Sequence, residues 1–466
     1  MKHGLRAVLA ACFLSSFFCS SLPARSFEAP IRLKVYAKGS GDTPDRRLGY
    51  TPMKKGESLH VPSSGIWFVR PEGPLAGAQI HQLADILVEQ RVPGVDLSNR
   101  WDITDETLAI LARCDHLQYL NVSHTKVTDT GLEALTQFPA LEALVASQNI
   151  TNKGAGYLSG LGRLEELDLD GARITDGGMA ALQRLPRLRS LVLSDTHVTD
   201  SGLVYLKDNI KLETLVLGHG ISDGGVKTLV ELKALTSLDA SATLLTDEGW
   251  KQLGSLSHLK VVYLNPEAGD AALKALSKIK GLEILDMTGT HVTDAGMAYL
   301  SGLTHLKEVA LTQTAVGDKG LAQLAQSRSL RVLELSNTRV TPEGMAIVAQ
   351  NHPKLEAISL SWPRLGTTEL ESLASLSHLE TIILNGAPLP ASVVRHLQTM
   401  AKLQRHREKQ VREPLAAPPP LTNRGGGGGL GTFSSTQTGF FITGSPDGSC
   451  QRVPRSFLAL PARRRS

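Results

Sequence analysis

The stretch THVTDAGMAYL, residues 290–300, sets His291, Thr293 and Asp294 close together, and THVTD occurs again at 196–200. A histidine beside an aspartate can serve as a general base oriented by a carboxylate, or as one ligand of a metal ion. Either chemistry needs further groups at a defined spacing and the same residue types wherever the site is used. Related turns stand at DITDETL (102–108), KVTDTGL (126–132), RITDGGM (173–179), HVTDSGL (197–203), GISDGGV (220–226), LLTDEGW (244–250), AVGDKGL (315–321) and RVTPEGM (339–345). They recur every 23 or 24 residues or a multiple of that spacing. The residue before V-T-D is Lys126, Arg173, His197, His291 or Arg339, and in other copies Leu244 or Ala315. A ligand position would not vary in this way, so His197 and His291 are read as scaffolding, with no catalytic residue, metal site or cofactor assigned.

The elements that carry these turns follow from period. Each turn is preceded by an L-x-x-L-x-L run, from LQYLNV at 117 to LETIIL at 379, and VPGVDL at 92 is a degenerate first copy. That makes about 13 units of one repeat array. Alternation in L-x-L predicts a short strand with leucines on one side, and the following G-L-x-x-L has helical spacing. Thr341-Pro342 sets the helix register, because proline favours the first helical position; Thr341 is then the N-cap, and the Asp of other copies stands where Pro342 does. There a carboxylate meets the partial positive charge of the helix start.

This wording, L-x-x-L-x-L-x-x-T-x-V-T-D-x-G-L over residues 92 to about 400, resembles the leucine-rich repeat proteins, in particular their ribonuclease-inhibitor-like and cysteine-containing subclasses. The resemblance implies an α/β fold: a solenoid curved as a right-handed horseshoe, with a parallel sheet on the concave side and helices on the convex side. It also implies a scaffold on which partners are bound, similar to exported bacterial proteins that carry such arrays. A scaffold does not specify its ligand.

The ends divide differently. Residues 1–24, with Lys2 and Arg6 before AVLAACFLSSFFC, have the make-up of a signal peptide, so the chain is expected to be exported, to the periplasm, the cell envelope or the medium. LAAC at 9–12 matches a lipidation box, but Cys12 lies too early. Only Cys114 and Cys450 would remain after cleavage, too few for disulfide-clamped ends, so folded caps are expected. Residues 25–91 form the expected N-terminal cap, with strand-like IRLKVYA and SGIWFVR and a helical QIHQLADILVEQ. The array spans 92–390, a capping helix 391–412 carries Val393, Val394, Leu397, Met400 and Leu403, and the Pro/Gly-rich basic tail 413–466 is expected to be disordered.

The overall charge of +4 conceals an asymmetry. Residues 401–466 hold 11 Lys and Arg against 3 Asp and Glu, and the leader adds two more cations, so residues 25–400 carry −6. A folded body of that sign excludes a nucleic-acid-binding reading built on the basic pI. The apolar run near the N-terminus is too short to span a membrane comfortably. No HExxH, CxxC, G-x-S-x-G or complete phosphate loop occurs; in GISDGGVKT (220–228) Val226 separates glycine from Lys227. Asn121 and Asn149 begin glycosylation sequons, which matter only in a eukaryotic secretory route.

One constellation points to binding. The third, fifth and seventh residues of L-x-x-L-x-L-x face the concave side, and through all copies these slots hold no lysine or arginine. They do hold Asp96, Glu166, Asp168, Asp170, Asp239, Asp286, Glu308 and Glu334, with Tyr119, Tyr263, Val261, Ile284 and Ile383 as apolar anchors. The expected function is a monomeric, non-enzymatic interaction scaffold whose protein partner presents a basic surface. Two other readings are an F-box-type ubiquitin-ligase adaptor, for which residues 30–90 lack an F-box-like helical pattern, and an enzyme with an unrecognised site.

Overall fold

The computed structural model describes residues 31–39, 45–50, 66–75, 77–361, 373, 375–385 and 439–442. The signal segment 1–24 and the capping helix expected over 391–412 lie outside these residues. The chain divides into two compact units, residues 1–291 and 292–466.

The first unit begins with β1 (Leu33–Ala37), β2 (Arg46–Tyr50) and β3 (Trp67–Pro71), with β1 antiparallel to both of the others. The helix Ala78–Glu89 follows and buries Ile80, Leu83, Ala84, Ile86 and Leu87. Nine three-residue strands then succeed one another: β4 (Gly94–Asp96), β5 (Tyr119–Asn121), β6 (Ala143–Val145), β7 (Glu166–Asp168), β8 (Ser190–Val192), β9 (Thr214–Val216), β10 (Ser237–Asp239), β11 (Val261–Tyr263) and β12 (Ile284–Asp286). Each pairs in parallel with the next, and β3 joins β4 in parallel through Val69 and Val95. Helical turns return the chain between strands, as a parallel pairing requires. Leucines at the first, fourth and sixth positions fill the space between sheet and helices: Leu188, Leu191 and Leu193 are buried, and so are their counterparts in every neighbouring copy. Burying a leucine fully is worth roughly 1.5–3 kcal/mol, so this stripe supplies most of the cohesion.

The second unit repeats the plan with β13 (Glu308–Ala310), β14 (Val332–Glu334), β15 (Ala357–Ser361) and β16 (Thr381–Asn385), all parallel. Within the tail read as disordered, Gly439–Ile442 is a strand, β17, antiparallel to β16. Its sequence, GFFI, concentrates aromatic and β-branched residues that favour strands.

The T-D-x-G turn does more than cap a helix. The threonine is the N-cap with extended backbone, as at Thr128, Thr151, Thr199 and Thr246, and its hydroxyl accepts from the N–H two residues on. The aspartate occupies the first helical position, but its carboxylate is engaged by the following repeat. Asp129 accepts from the Thr151 N–H at 2.8 Å and the Thr151 hydroxyl at 2.6 Å. The same pair of bonds joins Asp105 to Thr128, Asp176 to Thr199, Asp200 to Ser222 and Asp223 to Thr246 in the first unit, and Asp318 to Thr341 in the second. Asn152 does the same with donor and acceptor exchanged, taking the Thr175 N–H and donating to its hydroxyl. The glycine after the aspartate makes room: a Cβ at Gly131 or Gly202 would stand 2.5 Å from the previous repeat's Asp105 or Asp176 oxygen.

This arrangement answers the question raised by T-H-V-T-D. In residues 196–200, the Thr196 hydroxyl donates to the Leu193 carbonyl at 2.7 Å. Val198 is buried, and Thr199 and Asp200 belong to the ladder. His197 is exposed; its backbone N–H donates to the Ile174 carbonyl at 2.8 Å, as that of His291 does to Ala268 at 2.9 Å, and the His197 ring meets the edge of His219, with centroids 6.5 Å apart. A slot whose repeated bond is made by the backbone accepts any side chain.

Two glycines of one helix, Asn152–Leu158, test the ladder. A Cβ at Gly154 would collide with Asp129 Oδ1 and stand 2.8 Å from Ile150, whereas one at Gly156 meets nothing within 4 Å. Gly154→Ala should lower the unfolding free energy by about 2 kcal/mol or more, while Gly156→Ala should raise it by about 0.4–1 kcal/mol through helix propensity and a less flexible unfolded chain. On the same denaturant curves Leu215→Ala should cost about 2–5 kcal/mol as a core cavity, and His197→Ala less than about 0.5 kcal/mol.

Candidate functional site

Register places the sheet-face residues of the first unit in two rows of cross-strand neighbours. Third positions run Gly94, Tyr119, Ala143, Glu166, Ser190, Thr214, Ser237, Val261, Ile284; fifth positions run Asp96, Asn121, Val145, Asp168, Val192, Val216, Asp239, Tyr263, Asp286. Adjacent members are roughly 4.8 Å apart by sheet geometry. The acids therefore do not form one stripe: apart from Asp96 at the start of the row, they fall in two groups. Glu166, Asp168 and Asp170 share β7 and its exit, and Asp239, Tyr263 and Asp286 are consecutive on β10 to β12. Val192 and Val216 separate them, a gap of three strand steps or roughly 14 Å. In the second unit Glu308 and Glu334 lie on neighbouring strands but out of register, opposite Val332 and Ala310.

Three of the expected partner-binding residues are already engaged by the chain itself. Arg70 on β3 donates from Nε to Asp96 Oδ2 at 3.0 Å and also through Nη2. Phe68 on β3 packs on the Tyr119 ring with centroids 4.8 Å apart, and Tyr36 on β1 stacks on Phe68 at 5.2 Å. Lys38, just past β1, reaches Glu166 Oε2 at 2.7 Å. Phe68, Tyr119 and Ala143 form a small core on this face, with Tyr36, Ile66 and Val145 against it. The N-terminal sheet thus meets the strand face as far as the fourth repeat, beyond what closing the first repeat requires. Composition could not reveal this, since Lys38 and Glu166 are 128 residues apart. The legible signal was the aromatic and basic alternation of KVYAK and WFVR.

Electrostatics follow from this contact. Burial, then the carboxylates of Asp96 and Asp45, push the Tyr119 phenol up, so it stays a neutral hydroxyl. Burial alone would lower the Arg70 guanidinium, but the Asp96 carboxylate outweighs it and raises the value. Burial likewise raises Asp45, against the Gly39 N–H that donates to it at 2.9 Å.

The fifth-position acids also have a local duty. Each side-chain oxygen accepts the N–H two residues on: Asp96 from Ser98, Asp168 from Asp170, Asp239 from Ser241 and Asp286 from Thr288, all at 2.8–2.9 Å, with Asn121 doing the same for Ser123. These are Asx turns that close the end of each strand. Asp168 differs in its charge state: burial first, helped by the Asp170 carboxylate and opposed by the Asp170 N–H and Lys38, pushes it up to about 6.

Two further buried titratable groups stand out among the described residues. Cys114 is buried, which pushes its thiol up to about 11, away from nucleophilic use. His352 is buried with Nδ1 unpaired, and burial holds it down to about 4. Among the described residues no group of three or more His, Cys, Asp or Glu is placed to hold a metal ion, and no helix is long and apolar enough to cross a membrane.

Asp168 gives a test with a defined sign. Its folded value lies above the ordinary 3.8, so the cost of ionising it is present above pH 6 and absent below 3.8. Asp168→Asn keeps the acceptor for the Asp170 N–H. The variant should be more stable than the parent by about 1–2 kcal/mol at pH 7, with the difference vanishing below about pH 4 in paired denaturant titrations.

A family model described as Leucine Rich repeat matches residues 113–135, 164–182, 185–207, 282–301, 302–325 and 326–346. Among solved structures, the chain is similar to an internalin from Listeria monocytogenes at 19% identity, covering 66% of this chain and 89% of that one, with a TM-score of 0.46. The complex of Rad7 and Elc1 in yeast matches at 21% identity over 66% and 82%, with a TM-score of 0.47. A leucine-rich repeat protein of Leptospira interrogans matches at 16% over 70% and 86%, with a TM-score of 0.43. No curated protein matches the sequence. The strands, the leucine stripe, the turn wording and the family model agree on the fold: residues 113–346 contain leucine-rich repeats in a parallel, helix-backed array.

Proposed function

We propose that the chain is an exported, monomeric, non-enzymatic scaffold that binds a protein partner with a basic surface on the strand face of its repeats. One observation carries this reading: the face holds no cation of its own at its outward strand positions, yet it receives Lys38 and Arg70 from the N-terminal sheet. Basic side chains set between aromatic rings are therefore a chemistry this surface accommodates. Export rests on the leader-like residues 1–24.

The partner's footprint follows from what the N-terminal sheet covers. It starts at Asp168 and Asp170, crosses Val192 and Val216, and reaches Asp239, Tyr263 and Asp286. Asp239 and Asp286 are buried, so the steering charge sits at exposed Asp170 and half-buried Asp168, where carboxylates draw in a cationic partner and speed its association, an effect that salt screens. The test uses the full chain as bait in cell-envelope and medium fractions, followed by association kinetics with the captured protein. Replacing Asp168 and Asp170 together by Lys should slow association at least about tenfold at low salt and much less at high salt. Equal rates at both salt concentrations would remove β7 from the docking surface.

A further inference from the structure

Lys38 sits where a lysine seldom does. Its side chain is 15% exposed, against 40% for the Glu166 side chain that pairs with it, although an ammonium is strongly hydrated and normally stays in water. Three acceptors converge on it: Glu166 Oε2 at 2.7 Å, the Gly39 carbonyl at 3.4 Å, and the Tyr119 ring, whose centroid lies 5.2 Å from Nζ. A carboxylate and an aromatic face together satisfy the charge.

The repeats do not need this contact. Tyr119 and Glu166 occupy a third position that other copies fill with Gly94, Ser190 or Thr214, under the same leucine stripe and aspartate ladder. Nor does the N-terminal sheet hang from it. Leu33, Val35, Phe68 and Val69 are buried, and Arg70 is bound to Asp96. Lys38 follows the last residue of β1, and Ala37 opposite Trp67 is the final pair of the β1–β3 ladder. Rotation about its own side-chain bonds would free the ammonium with that ladder intact.

We propose that Tyr119 and Glu166 form a lysine-binding subsite of the strand face, which the chain fills with its own Lys38 and yields to a lysine of the partner. This rests on the strand face being the docking surface, and it names the chemistry read there. The internal lysine sets a threshold. A tethered group competes at an effective concentration in the millimolar range, so a lone cation does not displace it. A partner whose lysine is joined to further contacts along Asp168 and Asp170 does.

The probe is N-acetyl-Tyr-Ala-Lys-amide, which copies residues 36–38, titrated calorimetrically into the full chain and its variants. Lys38→Ser should bind it at least about tenfold more tightly than the parent chain, because the tethered competitor is gone. That gain should disappear in Lys38→Ser/Glu166→Gln, and with a probe carrying norleucine in place of lysine. Equal affinity for parent and Lys38→Ser, or a gain that survives Glu166→Gln, overturns the proposal. Should Lys38→Ser disturb the N-terminal sheet, as read from the fluorescence of buried Trp67, Glu166→Gln in the otherwise unaltered chain supplies a second measurement. Lys38 should then be acetylated by a water-soluble reagent at least threefold faster than in the parent, followed by mass spectrometry; an unchanged rate overturns the subsite. A partner captured through Asp168 and Asp170 while the probe shows no such gain would remove the subsite and leave the docking role standing.

Discussion

A carboxylate that reaches from one repeat to the N-cap of the next is the contact on which both stacks depend. In Asp129 and its counterparts one side chain satisfies a backbone N–H and a hydroxyl that the following turn would otherwise leave to solvent, and charge-assisted bonds of this kind are the stronger ones. The threonine hydroxyl it fixes is also the acceptor for the next helix's own N–H, as Thr151 is for Lys153. A single contact therefore orients two consecutive helices. It also explains the three specified residues of T-D-x-G: threonine to bridge, aspartate to reach forward, glycine to leave room for the oxygen arriving from behind. Where the wording lapses the contact thins. Gly269 and Gly317 replace the threonine, and the hydroxyl bond is lost: Asp247 keeps the Gly269 N–H, and Asp294 takes the N–H groups of Gly317 and Gly320.

Everything with a 23- or 24-residue period was legible because the same local interactions are written many times over. Strand, turn, N-cap and helix came from the positions of Leu, Thr, Asp and Gly, and Thr341-Pro342 fixed the register of the cap, which the helix Pro342–Asn351 bears out. The direction of the aspartate was less accessible. From one repeat alone its carboxylate belongs to its own helix start, and only stacking turns it towards its neighbour. The Asx turns could have been found: D-x-S, N-x-S, D-x-D and D-x-T at 96, 121, 168, 239 and 286 repeat a short polar residue two positions after an Asp or Asn. Pairings with a unique partner remained hidden. Nothing periodic ties Tyr36, Lys38, Phe68 and Arg70 to strands up to 128 residues away.

That unique contact changes what the acidic face offers. As a composition it is a field of carboxylates with no cation among them; as a folded surface it is neutralised at one end. Asp96 and Glu166 are paired, Tyr119 is covered, and the fifth-position acids use one oxygen for their own turn. The charge that remains is graded along the strands rather than uniform. Asp168 sits where the contacts of the N-terminal sheet end, and it is the acid of this face that burial raises to about 6.

A grading of this kind suits recognition better than chemistry. Catalysis calls for groups of different types brought within hydrogen-bond reach of one point, with shifted proton affinities that complement each other. Parallel strands instead hold like positions about 4.8 Å apart in rows, so that neighbouring side chains point the same way. Such rows fit an extended object of matching period. The N-terminal sheet is itself an object of that sort, an alternating aromatic and basic strand pair laid against the first four repeats, and the same geometry that seats it defines what else the remaining strands can seat.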